Sequence, residues 1–184
     1  VPCTSPIAGR RGAGGKIRRT FASDSPAGET YLEFPCGGCP DCRLQKAADL
    51  AIRCQHELEM TRDELGVTHG AFITLTIEDQ AIAERGHANV LRRDLQLFNK
   101  RLRKELGDRR YKFLAVGEYG DKYGRPHYHQ LLFGVDFKED RYGWRTKNGN
   151  PYFRSATLEK CWHLGNAEIG HITPETINYV CRYT

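Results

Sequence analysis

His127-Tyr-His-Gln-Leu-Leu-Phe133, entered through Gly124-Arg-Pro126, is the stretch whose reading decides the fold. Proline cannot sit in the middle of a sheet ladder, so a segment beginning after Pro126 with this apolar content predicts a buried strand. Side chains in a strand repeat every second residue, which sends His127 and His129 out of one face about 6.6 Å apart. Two neutral imidazoles so placed can share a metal ion, although such a pair on its own is more often packing or surface. The neighbouring sequence adds a third group. Phe113-Leu-Ala-Val-Gly-Glu118 reads as a second strand, joined to the first by a turn containing Gly120, Asp121 and Gly124. Antiparallel pairing would bring Glu118 beside the imidazoles, and two His with one carboxylate suit a divalent cation that keeps positions open for water or phosphate oxygen.

Working outward, Ala71-Phe-Ile-Thr-Leu-Thr-Ile77 predicts a central strand, because nearly every residue is β-branched, aromatic or aliphatic. Leu44, Ala47, Ala51, Cys54 and Leu58 recur at three and four, predicting an amphipathic helix from Cys42 to about Arg62. Leu91, Leu95, Phe98, Leu102 and Leu106 form the stripe of another over Ala88–Leu106, stopped by Gly107. Asn148-Gly149 marks a hairpin turn within Tyr142–Phe153, followed by a short helix over 156–162 and a strand over 167–172. Thr173-Pro174 then opens a last helix, Thr as N-cap and Pro at the first helical position. Strands and helices in this order make an α+β chain, divided here into 1–66 (basic arm, Cys-rich module and first helix) and a core over 67–184. From Val1 to about Tyr31 the Gly-, Ser-, Pro- and Arg-rich sequence predicts a mobile arm, with Arg10, Arg11, Lys16, Arg18 and Arg19 available to phosphates.

The formal charge is only +5, but it is unevenly placed: Ala88–Arg110 holds eight Lys or Arg against Asp94, Glu105 and Asp108. Such a surplus suits either a phosphate-facing surface or a solvated helix face, and Arg92, Arg93, Lys100, Arg101 and Lys104 are the candidates for the former. Arg125, beside the His strand, joins them. In the later hairpin, Trp144 and Arg145 alternate aromatic and cation, a pattern that fits base stacking on unpaired DNA or, for Trp144, core packing. No signal peptide or membrane-spanning run is evident, so a cytosolic protein is expected.

Seven cysteines, an odd number, argue against a fully paired disulfide framework. Cys36-Gly-Gly-Cys39-Pro-Asp-Cys42 spaces three thiols to converge on one centre, and a fourth ligand would close a structural zinc site. Cys3 is the candidate, since Cys54 falls on the inward helix face; an iron–sulfur cluster is the alternative occupant.

Tyr179 and Tyr183 lie four apart, hence on one face of the last helix. A pair like this is normally packing, but beside a cation it gains a role. Phosphodiester transfer needs an in-line nucleophile and positive charge on the non-bridging oxygens. A metal on His127, His129 and Glu118 would supply the charge and assist loss of a phenolic proton whose free pKa is about 10.

Phe72-Ile-Thr-Leu-Thr76, Gly124-Arg-Pro-His-Tyr-His-Gln-Leu-Leu-Phe-Gly134 and Tyr179-Val-Cys-Arg-Tyr183 resemble the three ordered motifs of HUH endonucleases, specifically the replication initiators of microviruses in the gokushovirus branch. Cys3-Thr-Ser-Pro6, Pro35–Arg43, Asp94–Arg103, Gly117–Gly120 and Thr157–Lys160 extend the likeness over nearly the whole chain. The resemblance implies a ferredoxin-like or RRM-like antiparallel sheet backed by helices, Mg²⁺ or Mn²⁺ as catalytic ion, and single-stranded origin DNA as substrate. It further implies rolling-circle initiation in the cytoplasm of a bacterial host, through a 5′-phosphotyrosine on Tyr179 or Tyr183 and a 3′ hydroxyl extended by host replication machinery. The family's lysine shortly after the second tyrosine has no counterpart before Thr184. Rival readings are a relaxase- or transposase-type HUH nuclease, a non-catalytic single-stranded nucleic-acid binder, and a regulator organised by the Cys cluster.

Overall fold

The computed structural model describes residues 3–11, 15–20, 31–120 and 123–183. Two compact units divide at Asp49/Leu50, within the helix α1 (Pro40–Glu59).

In the first unit, β1 (Ile7–Arg11) lies between β2 (Ile17–Arg19) and β3 (Tyr31–Phe34), antiparallel to both. This corrects the expectation of an arm without regular structure. The strands escape a periodicity reading because β2 is exposed throughout and β1 buries only Gly9; cross-strand backbone pairing rather than an apolar face holds them. Gly9 is needed there, since a Cβ would sit 2.9 Å from the Phe34 ring. Arg10, Arg11, Arg18 and Arg19 are thus strand residues, with Lys16 just before β2, while the rest of the expected arm, 1–2, 12–14 and 21–30, lies outside the described residues.

The second unit is built on a six-stranded sheet of order β5-β6-β4-β9-β8-β7, antiparallel throughout, from β4 (Gly70–Ile77), β5 (Lys112–Tyr119), β6 (Pro126–Phe133), β7 (Arg141–Lys147), β8 (Asn150–Ser155) and β9 (Gly165–Gly170). Pro126 takes the first position of β6, where its missing N–H is tolerated. The Asn148-Gly149 turn has φ of 52° and 77°, the positive pair expected between β7 and β8.

Alternation in β4 sorts the two faces. Ala71, Ile73, Leu75 and Ile77 point to one side, joined by Tyr128, Leu132, Ala167 and Ile169. Helices α3 (Arg92–Leu106) and α4 (Ala156–Cys161) cover that side through Phe98, Leu102, Leu158 and Cys161, with Trp162 following. Trp162 is fully buried, edge-on to Phe98 and Tyr128, and its Nε1 donates to the Thr76 carbonyl at 3.1 Å. Full burial of large apolar side chains such as these contributes about 1.5–3 kcal/mol each, which makes this face the main source of stability.

Helix α3 starts at Arg92 rather than Ala88: Leu91 is extended, and its N–H and carbonyl both engage the Tyr128 hydroxyl. A short helix not anticipated from the sequence, α2 (Asp79–Arg85), precedes it; with Ala81 its one buried residue, it carries no apolar stripe to read. The last helix, α5 (Pro174–Arg182), lies on the opposite sheet face, where the Tyr179 ring meets His129. Among the described residues no helix is long and apolar enough to cross a membrane.

Candidate active site

The β5–β6 ladder sets Glu118 directly opposite His127 and Val116 opposite His129. The turn between them closes through Gly120 N–H to the Arg125 carbonyl at 3.0 Å, with Gly124 at positive φ; Asp121 lies outside the described residues. Cross-strand partners share a face, so the three groups converge as the pairing dictates. Glu118 Oε1 is 2.7 Å from His127 Nε2 and 3.0 Å from His129 Nε2. The Tyr179 hydroxyl donates to that same oxygen.

His127 Nδ1 is 3.1 Å from the Arg125 carbonyl, an acceptor only, so Nδ1 carries the proton. In the neutral ring Nε2 then presents a lone pair to a carboxylate oxygen, a contact that calls for positive charge between them, whether proton or metal ion. His129 is oriented similarly: its Nδ1 meets Thr74 Oγ1 at 3.1 Å, and its ring stacks on Phe72 at 5.3 Å and 8°. Among the described residues Glu118 Oε2 is buried without a hydrogen-bond partner, a state that costs free energy unless a cation or bound group satisfies it. The ligand atoms of Glu118, His127 and His129 lie within 4.8 Å of one another, a set able to hold a metal ion.

Burial works to raise the Glu118 carboxyl pKa, but the Tyr179 and His127 hydrogen bonds and the two imidazoles outweigh it and hold the group below the usual carboxylate range. His129 is lowered, chiefly by burial, with Glu118 opposing. Both shifts favour the ligand forms, carboxylate and neutral imidazole.

Helix α5 delivers the tyrosines. Thr173 and Thr176 form a reciprocal capping box with Pro174 in the first turn, and Ile177, Val180 and Cys181 are buried. That leaves Tyr179, edge-on to His129 at 5.1 Å, and Tyr183 one turn on, its ring 5.2 Å from Tyr179. Tyr183 is the more exposed, at 56% against 36%.

The proposed DNA-contacting residues divide between the two sheet faces. Arg92, Arg93, Lys100, Arg101 and Lys104 are on α3, across the sheet from the His cluster, and Arg101 is tied to the Cys161 carbonyl at 2.7 Å. Arg125 pairs with Asp79 at 2.7 Å. Trp144 and Arg145 do belong to the His face. Both donate to Glu168, at 3.0 and 2.6 Å, and Glu168 is the cross-strand partner of Thr74, which in turn bonds His129. Trp144 is 51% exposed, so it is no core residue; it sits at a register shift in β7 with the Arg154 guanidinium 4.7 Å from its ring centre. Thr74, Phe72 and Glu168 were not among the site residues expected from sequence. The alternation of Phe72, Thr74 and Thr76 was a signal for the first two, whereas Glu168 depends on a β4–β9 register that no local pattern encodes.

In the first unit, Cys3, Cys36, Cys39 and Cys42 form a second set able to hold a metal. Cys3 Sγ is 3.8 Å from Cys39 Sγ, and Cys36 Sγ is 4.0 Å from Cys42 Sγ. A tetrahedron of zinc–sulfur bonds near 2.3 Å has edges of about 3.8 Å, and a disulfide would need about 2.05 Å. Backbone N–H groups of Gly38 and Cys39 point at Cys36 Sγ and lower its pKa; the Thr4 side chain and the Cys42 N–H bring Cys39 down to about 5. For Cys42 the Gly37 backbone pulls down, but burial and the three neighbouring thiols prevail and push it up to about 12, so the cluster resists carrying four negative charges without a cation.

Residues 70–184 match the family model for replication-associated protein ORF2/G2P. The chain belongs to that family. Among its relatives, replication-associated protein VP4 of Bdellovibrio phage phiMH2K is 32% identical over 189 residues, covering 98% of this chain and 56% of its own length. ORF2 of Spiroplasma virus 4 is 32% identical over 155 residues, covering 82% of the chain and 47% of its own length. ORF4 of Chlamydia phage 1 is 30% identical over 167 residues, covering 82% and 37%. All three carry the name replication-associated protein, and the microvirus type read from the motifs holds. The chain spans about half the length of these relatives. No solved structure gives a significant match.

Proposed function

We propose that this chain initiates rolling-circle replication of a single-stranded DNA phage in the cytoplasm of its bacterial host, by nicking and rejoining origin single-stranded DNA. The carrying observation is that Tyr179 donates to the one carboxylate oxygen both imidazoles face, which sets a nucleophile against a cation site. Residues 67–184 form the endonuclease core, ferredoxin-like in this reading, and 1–66 bear the Cys-rich module and first helix.

Glu118, His127 and His129 would hold Mg²⁺ or Mn²⁺, which when bound neutralises charge on the phosphate oxygens. Glu118 holds the Tyr179 phenol in place, and Thr74 and the Arg125 carbonyl fix the two imidazoles. The Tyr179 phenol releases its proton to water, its oxygen bonds to the scissile phosphorus, the bond from phosphorus to the 3′ oxygen breaks, and that oxygen takes up a proton from water to become a 3′ hydroxyl. One phosphodiester replaces another, so the step can run backwards, a 3′ hydroxyl displacing the tyrosine to rejoin the strand. Tyr183, on the same helix face, suits the second cut after one round of synthesis. Cys3, Cys36, Cys39 and Cys42 would hold Zn²⁺ in a structural role, since four thiolates leave no position for substrate.

The test is to incubate the chain with Mn²⁺ and a tiled set of labelled single-stranded oligonucleotides from the phage genome that encodes it. A denaturation-resistant adduct mapped by mass spectrometry to Tyr179 or Tyr183 is expected. An adduct on another residue, or none, overturns the reading.

A further inference from the structure

At the end of the sheet away from the His cluster, six residues back along β5 and so about 20 Å distant, a cavity of about 630 Å³ opens beside Lys112 and Phe133. Arg103, Arg109, Arg110 and Lys112 line it against one carboxylate, Glu57. Lys112 is held by Glu57 at 2.8 Å, Arg109 by Glu139 at 2.8 Å, and Arg103 lies over the Tyr111 and Phe113 rings at 5.6 and 5.7 Å. Among the described residues Arg110 has no ion-pair partner, and it is exposed. The site therefore keeps uncompensated positive charge.

Its apolar part is equally distinctive. Met60 lines the cavity and is 82% exposed. Thr61 and His69 also line it, and the loop they bound carries Leu65, 88% exposed. That loop is tied down. Asp63 accepts from the N–H groups of Leu65 and Val67 at 3.0 and 2.8 Å and from His69 Nε2 at 2.9 Å, while His69 Nδ1 reaches Asp136 at 3.1 Å. Gly66 supplies the positive φ of 79° that the turn requires. A loop ordered in advance loses little entropy on binding, and Leu65 at its tip buries little of its apolar surface in the free protein.

We propose that this cavity and loop form a docking surface for an acidic peptide segment of another protein carrying large apolar side chains, a function separate from the nuclease reading. Cations matched to carboxylates, with Met60 and Leu65 gripping an apolar anchor, are the chemistry of such a partner. Unpaired DNA matches the charge but needs open aromatic faces to stack its bases, and the Tyr111 and Phe133 rings lining the cavity offer none: Tyr111 is half-buried with Arg103 over it, and Phe133 is buried.

The probe is a fluorescein-labelled peptide, Asp-Glu-Asp-Leu-Phe-Glu-Asp-Leu, titrated against the full chain by anisotropy. Saturable binding is expected, weakened about tenfold or more by Arg110→Glu or Met60→Ser and abolished when Ser replaces the peptide's Leu and Phe. Leu65→Ser should weaken peptide binding while leaving DNA adduct formation unchanged, which separates this surface from the catalytic reading. No saturation up to about 1 mM, binding indifferent to Arg110→Glu and Met60→Ser, or an oligothymidylate that displaces the peptide and itself depends on Arg110 would each overturn the proposal.

Discussion

The Tyr179 hydroxyl donates to Glu118 Oε1, whereas Tyr183 stands one helical turn farther out on the same face. The two phenols are therefore inequivalent before DNA arrives. Tyr179→Phe should reduce first-round adduct formation by two orders of magnitude or more, about the scale of losing a positioned catalytic group, and Tyr183→Phe by much less. Over repeated rounds each single variant retains some cleavage and the double variant none. Equal first-round rates for the two single variants would refute the inequivalence.

Thr74 is the test of how His129 is held. Its hydroxyl meets His129 Nδ1 at 3.1 Å, on the strand next to β6. Thr74→Val keeps the shape and removes the bond, so Mn²⁺ affinity, followed by electron paramagnetic resonance, should fall about tenfold as for other supports of a metal ligand. Thermal stability should fall by about 1–3 kcal/mol, since the buried His129 Nδ1 is left without its partner. An unchanged Mn²⁺ affinity means that Phe72 stacking alone orients the ring.

The Cys cluster makes a separate prediction. Elemental analysis should find one zinc per chain, and Cys39→Ser should lower that content and speed proteolysis within residues 3–36, whose short strands bury little apolar surface. Full zinc content in that variant would exclude Cys39 as a ligand. Iron in place of zinc would favour the cluster alternative.

Much of this site was legible in the sequence because it depends on local periods. The two-residue repeat placed His127 with His129, a short turn placed Glu118 opposite them, and the Thr173-Pro174 start together with the four-residue spacing put both tyrosines on one face. What depends on long-range register was not legible. The α3 stripe showed that Phe98 and Leu102 are buried, but not that their helix covers the sheet face away from His127. Glu168 is an ordinary strand carboxylate until β9 pairs with β4, and it then anchors Trp144 and Arg145 beside the site. In β1 and β2 the absence of an apolar period concealed strands held by backbone pairing.

Acid should weaken the fold through specific carboxylates, and Asp140 shows the sign. It accepts from Ser155 Oγ at 2.8 Å and from the Thr157 N–H at 2.8 Å, and Ser155 in turn caps α4 by accepting from the Leu158 N–H at 3.1 Å. Burial works to raise its pKa, but these hydrogen bonds prevail and hold it below the ordinary 3.8. Because the folded-state value is depressed, the unfolded chain binds the proton more readily. The stabilisation is complete above the unfolded value near 3.8 and is lost as pH falls from there through the folded value. Asp63 and Asp136 shift the same way and deepen the fall within this window, while Glu118, depressed from 4.5, and His129, depressed from 6.5, begin a gentler decline above it. In urea titrations between pH 2.5 and 5.5, Asp140→Asn should be less stable at pH 5.5 and should approach the unaltered chain at the acid end. Parallel curves would show that the Asp140 hydrogen bonds do not favour the carboxylate.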